Sequence, residues 1–270
     1  MAQNRVRIVD VADSLGLSTA TVSKVIHGKT KKISDETVKR VQQELERSGY
    51  IPNMAGILLA RNNSRIIGVV VNDHVKYEGR VLEDGFVMSS LNALSHEVNE
   101  KGYFLMIKTT SDISEIPVFA SMWNMDGLIL MGFCEVDYEK LRNQMRISFV
   151  VYDGYFEKCS RVVNLVINHY DGGYQAGNAA FAVSDFYAVE FMKFLQEKNI
   201  RIPEDIQIIG FDDSMASRES NPSLTTIHQE AALRAKTAIE CLEAMRNGVE
   251  CETEIVLPVG LIKRESTRKL

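Results

Sequence analysis

The stretch that decides the fold of the N-terminal end runs from Gly16 to Ile26 and reads GLSTATVSKVI. Apolar residues before it repeat at helical spacing, and the glycine ends that first helix. Ser18 is a good N-cap for a second helix, whose apolar stripe begins at Val22. Two short helices joined by a three-residue turn predict a helix-turn-helix.

A third helix is predicted after Ser34, which can cap it, with Val38 and Val41 among its inward-facing residues. Pro52 is expected to end this helix. The three helices make up a predicted head of residues 1–50. Residues 51–64 then form a short apolar hinge helix and a polar linker.

The outward face of the second helix carries small, hydroxylated or basic side chains and no acid, which phosphates would repel. Hydroxyl groups and a helix N-terminus can bind phosphate oxygens, and Lys24 is long enough to reach a base edge in the major groove. These features predict double-stranded DNA as the partner. The predicted DNA-binding residues, two of them in the hinge, are Ser18, Thr19, Ala20, Thr21, Ser23, Lys24, His27, Asn53 and Leu59.

Charge is unevenly distributed along the 270 residues. Residues 1–65 hold 11 Lys and Arg against 6 Asp and Glu, although the whole chain has a net charge of −5. A basic segment on an acidic body indicates that one part meets a polyanion. No apolar run approaches a membrane span, and no signal-type core follows Met1, so we expect a cytoplasmic protein.

Residues that carry catalysis or bind metals form no recognisable pattern. The four cysteines include no CxxC pair, the five histidines lack metal-ligand spacing, and neither a phosphate loop nor a GxSxG elbow is present. We therefore expect a binding protein without enzymatic activity, metal or cofactor.

From Arg65 onward, buried-type strands alternate with amphipathic helices. The first strand covers residues 66–71, a helix follows from about 85 to 101, and further strand and helix units continue to the C-terminal end. Alternation of this kind predicts doubly wound parallel sheets, whose ligands lie at the carboxyl ends of the strands.

Several motifs resemble one family closely. The head string from Asp10 to Ile26, the tetrapeptide YIPN at 50–53 and Leu59-Ala60 resemble the DNA-binding head and hinge of the LacI/GalR transcriptional regulators. The strings DGLIL at 126–130 and GFDD at 210–213 resemble their core. The resemblance implies an all-α helix-turn-helix head and an α/β periplasmic-binding-protein-like core of two parallel-sheet subdomains.

The resemblance also implies a function. Members of this family repress carbohydrate-metabolism genes as homodimers on a pseudo-palindromic operator, and a sugar acts as effector. By resemblance, Thr19, Ala20 and Lys24 hold base-reading positions, and Leu59 opens the centre of the operator. Gly56 in the hinge and Arg7 at the cap of the first helix depart from the family pattern.

Five residues are predicted by resemblance to bind the effector: Asp84, Phe86, Asp153, Asp185 and Asp212. Carboxylates at strand ends accept paired hydrogen bonds from sugar hydroxyls, and an aromatic ring covers the apolar face of a sugar. An Asp directly after a strand also often caps the next helix, and both interpretations stay open for each of these residues. Trp123 and the methionines near it are expected in the core.

One junction in the body is too short. The predicted strand at 163–167 is followed by another at 180 after about twelve residues, and only six or seven of these are predicted to be helical. A crossover between parallel strands needs at least a dozen residues, usually with a complete helix, so this connection is too short to return the chain to the same sheet. Family members carry further strands and helices there, together with an arginine that grips the effector. We therefore predict an internal deletion in the C-terminal subdomain and an impaired effector response.

The predicted core of residues 65–270 divides into an N-subdomain of about 65–161 and 225–252 and a truncated C-subdomain of about 162–224 and 253–270. Two alternatives remain open. A non-functional remnant of such a regulator would expose apolar faces and unpaired strand edges. A sugar-binding receptor-like protein would require an export signal and no DNA-binding head.

Overall fold

The computed structural model describes residues 6–51, 64–154, 162–169 and 179–268. The chain divides after residue 62 into two compact units, a helical head and an α/β core. The head contains three helices: α1 (Ile8–Leu15), α2 (Thr19–Ile26) and α3 (Asp35–Ser48). None of the helices in the described ranges is long and apolar enough to cross a lipid bilayer.

The head is closed by side-chain caps and a small apolar cluster. The Ser18 hydroxyl accepts the backbone N–H of Thr21 at 3.1 Å, and the Ser34 hydroxyl accepts that of Thr37 at 3.3 Å. Both predicted N-caps are confirmed. The helices pack around five fully buried residues: Val11, Ala12, Val22, Val25 and Val41.

The end of α3 differs from the prediction. The helix stops at Ser48, and Gly49 follows with φ +64° in the left-handed region, where its N–H bonds back to the last turn. This backbone conformation favours glycine because a side chain strains it. Gly49, rather than Pro52, ends the helix.

Besides two three-residue 3-10 helices, Val75–Tyr77 and Val81–Glu83, the core contains these α-helices in the described ranges: α4 (Gly85–Glu100), α5 (Glu115–Met122), α6 (Glu135–Gln144), α7 (Asp185–Glu197), α8 (Met215–Glu219) and α9 (Ala231–Arg246). Its strands are β1 (Ile66–Val71), β2 (Phe104–Thr109), β3 (Gly127–Met131), β4 (Phe149–Tyr152), β5 (Val162–Ile167), β6 (Ala180–Phe181), β7 (Ile208–Phe211), β8 (Thr225–Gln229), β9 (Glu254–Leu257) and β10 (Val259–Ile262).

Six strands form the first sheet, in the order β2-β1-β3-β4-β5-β9, and every pair in it is parallel. Alternate residues of each strand face opposite sides, so β1 contributes to two clusters. Ile67 and Val69 pack with α4 and α9, whereas Ile66 and Val70 pack with α5 and α6. Both faces are covered by helices, as a doubly wound sheet requires.

The second sheet has four strands in the order β10-β8-β7-β6. Strands β6, β7 and β8 run parallel, while β10 is antiparallel to β8, so the sheet is mixed and the prediction of a purely parallel second sheet was wrong. The antiparallel strand arises because β10 follows β9 after one residue and enters the second sheet from the first. Helix α7 covers one face through Ala188, Met192 and Leu195.

The predicted subdomain bounds are corrected by the strand pairing. Strand β5 pairs with β4 and β9, so it belongs to the first subdomain, not to the C-subdomain predicted from residue 162. Strand β8 belongs to the second sheet rather than to an N-subdomain segment starting at 225. The chain passes between the subdomains after β5, between β8 and α9, and between β9 and β10.

The strand pairing also contradicts the prediction that β5 and β6 are joined by a crossover within one sheet. Strands β5 and β6 lie in different sheets, so the chain between them makes no crossover within one sheet. Residues 170–178 of this junction lie outside the described residues. The expected deletion therefore depends on other observations.

Helix α7 shows an unusual outer surface. Its exposed side chains include Phe186, Tyr187, Phe191 and Phe194, and the first two rings meet edge to face with centroids 5.5 Å apart. So many exposed aromatic side chains on one helix are uncommon on a monomeric protein.

Candidate DNA-binding surface and effector cleft

The second helix of the head presents the predicted DNA-binding face to solvent. Thr19, Ala20 and Lys24 are exposed, while Val22 and Val25 on the opposite side are buried. The helix contains no acid and carries Lys24 in its last turn. Because Ser18 caps only one of the free N–H groups at its start, the N-terminus of α2 keeps its affinity for phosphate.

The remaining predicted contacts in the head are less accessible. The Thr21 hydroxyl lies 2.9 Å from the Ser18 hydroxyl and contributes to the cap, and Thr21, Ser23 and His27 are half-buried. Asn53 and Leu59 lie outside the described residues. The role of all these residues in DNA binding stays a prediction.

The sequence interpretation missed a basic turn directly after α2. Lys29, Lys31 and Lys32 are exposed in the connection to α3. Two other cations of the head already have carboxylate partners, since Arg7 pairs with Asp10 and Arg47 with Glu44. The sequence alone shows three lysines within four residues directly after the predicted DNA-binding helix, and this cluster could have been used to predict phosphate contacts.

Two of the predicted effector carboxylates have structural roles in the core. Asp84 caps α4, where one carboxylate oxygen accepts the backbone N–H groups of Phe86 at 3.0 Å and Val87 at 3.1 Å. This contact supports the capping interpretation, which predicts that loss of the carboxylate destabilises α4 by about 1 kcal/mol.

Asp185 is the more deeply embedded of the two, with 1% of its surface exposed. It accepts the backbone N–H of Ser214 at 2.7 Å and the hydroxyl of Thr226 at 2.5 Å. A Cβ added to Gly210 would lie 2.2 Å from one of its oxygens. Burial raises the pKa of Asp185 above its ordinary value. The carboxyl therefore joins α7, β8 and the start of α8.

Asp212 lies at the end of β7 and is half-buried, with φ +108°. Its carboxylate accepts a hydrogen bond from the Gln229 amide at 2.6 Å. Burial, and then the negative charges of Asp185, Asp84 and Asp153, raise its pKa to about 7. The four predicted carboxylates therefore lie close enough to interact electrostatically.

Asp153, at the end of β4, pairs with a residue that the sequence interpretation did not select. Its carboxylate accepts a hydrogen bond from Arg234 of α9, and Arg234 also donates to the carbonyl oxygen of Leu165 at 2.9 Å. The other terminal nitrogen of Arg234 donates to the Gln229 side chain at 3.1 Å. Since Gln229 donates to Asp212, one hydrogen-bonded chain connects the two subdomains.

Phe86 faces the same arginine. The Arg234 guanidinium carbon lies 5.4 Å from the centre of the Phe86 ring and 4.5 Å from that of Tyr152. Both distances are typical of cation–π contacts. Phe86, Asp153 and Asp212 are thus brought together around Arg234, and no feature of the sequence distinguished this arginine from a solvated one in the first turn of a helix.

A cavity of about 250 Å³ opens beside Phe86, at the carboxyl ends of β1 and β3. Its lining includes Asn72, His74, Lys76, Tyr77 and Met131. This is the end of the sheet at which a doubly wound fold binds ligands. In the described part of the chain, no group of three His, Cys, Asp or Glu side chains is placed to hold a metal ion.

Trp123 and Met122 differ from the expectation that they lie in the core. Trp123 follows α5 and is 47% exposed, and Met122 is 70% exposed. Met125 and Met131 are buried as predicted. The two exposed residues end a short helix at the end of the sheet opposite the cleft.

A capped, acid-free recognition helix in a three-helix head, followed by a core of two sheets with a cleft at the strand ends, defines a helix-turn-helix regulator with a ligand-binding type of core. Residues 7–53 match the model of the lacI family of bacterial regulatory proteins, and residues 152–267 match that of a periplasmic binding protein-like domain. The chain thus combines a LacI-family helix-turn-helix domain with a periplasmic binding protein-like domain.

Two curated relatives align with nearly all of the chain. The HTH-type transcriptional regulator MalR of Clostridium butyricum is 23% identical over 339 residues, covering 96% of this chain and 98% of the relative. The HTH-type transcriptional repressor PurR of Pasteurella multocida is 25% identical over 337 residues, covering 97% and 98%. Because the chain has 270 residues, both relatives contain residues without a counterpart here. This difference supports the expected truncation.

Solved structures show the same fold. A lac repressor dimer bound to operator and the anti-inducer ONPF has a TM-score of 0.85 at 19% identity, covering 98% of this chain and 99% of that one. A complex of the transcriptional regulator CelR with cellobiose has a TM-score of 0.65 at 18% identity, covering 97% and 100%.

Proposed function

We propose that this LacI-family DNA-binding regulator represses carbohydrate-metabolism genes in the cytoplasm by binding a pseudo-palindromic operator as a homodimer. The observation that carries the proposal is the face of α2, where Thr19, Ala20 and Lys24 are exposed beside the N-terminus of the helix. The relatives described above support it, since PurR is named a repressor and the lac repressor structure is a dimer on its operator.

We further propose that its response to a sugar effector is weak or absent. Arg234 already satisfies Asp153 and stacks on Phe86, and Asp185 and Asp84 are engaged in structural contacts. Few of the predicted groups therefore remain available for sugar hydroxyls. Calorimetry with mono- and disaccharides is expected to give no tight complex, and a tight one would contradict this part of the proposal.

Operator binding is tested by selecting duplexes from a random pool and measuring fluorescence anisotropy on the selected duplex and on a scrambled one. Affinity for both is expected to fall steeply with salt, because bound phosphates release counterions. A salt-independent shift, or equal affinity for the scrambled duplex, would contradict the proposal. Sedimentation at the working concentration tests the dimer.

A pair of single-lysine variants separates base reading from phosphate contact. Lys24→Ala should lower the ratio of selected to scrambled affinity by about 5- to 150-fold, the effect of losing about 1–3 kcal/mol of base discrimination. Lys31→Ala removes the same charge from the basic turn and should weaken both duplexes alike, with a salt slope reduced by about 1. An unchanged ratio in Lys24→Ala would exclude Lys24 as a base contact.

A further inference from the structure

Arg234 lies in the first turn of α9, yet only 2% of its surface is exposed. A buried guanidinium is costly unless other groups replace its water. Its terminal nitrogens are satisfied by Asp153, the Leu165 carbonyl oxygen and Gln229. In the described part of the chain its Nε has no hydrogen-bond acceptor. The side chain is thus buried inside the cleft in spite of the free-energy cost of desolvating its charge.

The contacts of this guanidinium are with residues that the family resemblance assigns to an effector. A carboxylate at a strand end, Asp153, accepts its hydrogen bond, and an aromatic ring, Phe86, covers its face. Asp212 is reached through Gln229. Two of the five predicted effector residues are therefore occupied by Arg234, and a third, Asp212, is occupied by Gln229.

These contacts also join the two subdomains. Asp153 and Tyr152 end a strand of the first sheet, whereas Gln229 and Asp212 end strands of the second. An effector that binds between two such subdomains holds them together by bonding to both. The chain from Asp153 through Arg234 and Gln229 to Asp212 makes the same connection without a small molecule.

We infer that Arg234 is a tethered ligand of the cleft, which holds the subdomains in one arrangement in the absence of any soluble effector. The inference deepens the proposed function, from which it takes the location of the effector site. A small molecule that enters at this point has to displace the guanidinium from Asp153 and from the Phe86 and Tyr152 rings. Binding to the operator is then independent of added effector.

Chemical rescue tests the inference directly. Arg234→Ala should leave a space shaped for a guanidinium and lower the Tm of the core by roughly 10 °C, because Asp153 becomes a partly buried carboxylate that has lost its arginine partner. N-ethylguanidinium at millimolar concentration should restore most of this loss. Ethylurea, which is similar in shape but uncharged, and sodium chloride at equal ionic strength should not.

The matched control is Arg246→Ala in the same helix. Arg246 pairs with Asp126 at 3.1 Å, but its own side chain is 32% exposed against 2% for Arg234, so its removal leaves a site that is open to solvent rather than enclosed. Neither this variant nor the unmodified protein should gain stability from N-ethylguanidinium. An equal response in all three proteins, or a folded Arg234→Ala that does not respond, would overturn the inference.

If Arg234→Ala does not fold, Arg234→Met keeps most of the stem volume and removes the charge. Hydrogen exchange at the ends of β7 and β8, around Asp212 and Gln229, should then be at least 10-fold faster than in the unmodified protein. Unchanged exchange would overturn the inference. Failure of the proposed function is seen separately, because it would appear as loss of operator selection by the unmodified protein, whereas the guanidinium assay contains no DNA.

Discussion

The head and the core place their functional residues in opposite ways. In the head, Thr19 and Lys24 are exposed on a helix that is fixed by its own cap and by a few buried valines close in sequence. In the core, Asp185 and Arg234 are buried and bonded to partners from distant segments. A surface that reads DNA therefore follows from local sequence, whereas the state of the cleft depends on which distant side chains meet there.

The largest effect is expected from a substitution that unfolds the head and leaves the core folded. Val41 is fully buried in the small apolar cluster of the head. Val41→Asp would bury an unpaired carboxylate at a cost of at least about 3 kcal/mol, which a three-helix head of this size cannot sustain. We expect operator affinity to fall more than 100-fold, while the Tm of the core stays within about 2 °C in differential scanning calorimetry.

Gln42→Asp is the control for that variant, since it adds the same charge at the neighbouring exposed position of α3. It should keep the head folded and retain most of the affinity. If the core transition disappears together with the head in Val41→Asp, the independence of the two units is disproved.

A substitution in the second sheet should have the next largest effect. At Gly210 a Cβ would lie 2.2 Å from an oxygen of Asp185 and 2.8 Å from the Leu224 side chain. Gly210→Ala therefore breaks the contacts of Asp185 and should destabilise the core by about 2–4 kcal/mol, measured by urea unfolding. Gly260→Ala in the same sheet meets no atom within 4 Å and should change stability by less than about 1 kcal/mol. Equal losses would show that the packing around Asp185 is not tight.

The smallest of the three effects depends on pH. The pKa of Asp212 is raised to about 7, from an ordinary value of 3.8. Between about pH 4 and 7 the folded state holds a proton that the unfolded chain has released, so folding stability falls as pH rises through this window. Asp212→Asn stays neutral and should escape that loss, so its stability relative to the unmodified protein should be higher at pH 8 than at pH 5.

Thermal unfolding at the two pH values measures the difference, and Asp205→Asn provides the control. Hydrogen bonds from Arg201 hold the pKa of the exposed Asp205 at about 2, so its carboxylate is ionised at both pH values in both states. The effect of this variant should be the same at pH 5 and pH 8. An Asp212→Asn difference that does not change with pH would show that burial and the neighbouring carboxylates do not raise the pKa of Asp212.

The caps of the head could be predicted because they depend on residues three positions apart. Ser18 and Ser34 accept the N–H of the third residue onward, which periodicity and residue type identify. The strands of the core were also visible as buried apolar runs. The sheet to which β5 belongs was not, because a strand buried on both faces has the same composition in either sheet.

The contacts inside the cleft could be predicted only in part. The resemblance selected the carboxylates at the strand ends, and the structure brings them together around Asp212. The resemblance did not indicate that both carboxylate oxygens of Asp185 accept hydrogen bonds within the protein, or that Arg234 enters the cleft. Both facts depend on contacts across more than 40 residues of chain, which neither spacing nor composition records.

The exposed position of Trp123 has a consequence for spectroscopy. It is the single tryptophan of the chain and follows α5, just before β3 begins, at the amino ends of the strands and therefore away from the cleft. Intrinsic emission excited at the red edge of the indole band therefore reports on that end of the sheet alone. A small molecule that enters the cleft should leave this signal unchanged, so a flat fluorescence titration carries no information about ligand binding. A tryptophan introduced at Phe86 would place an emitting ring where the ligand arrives.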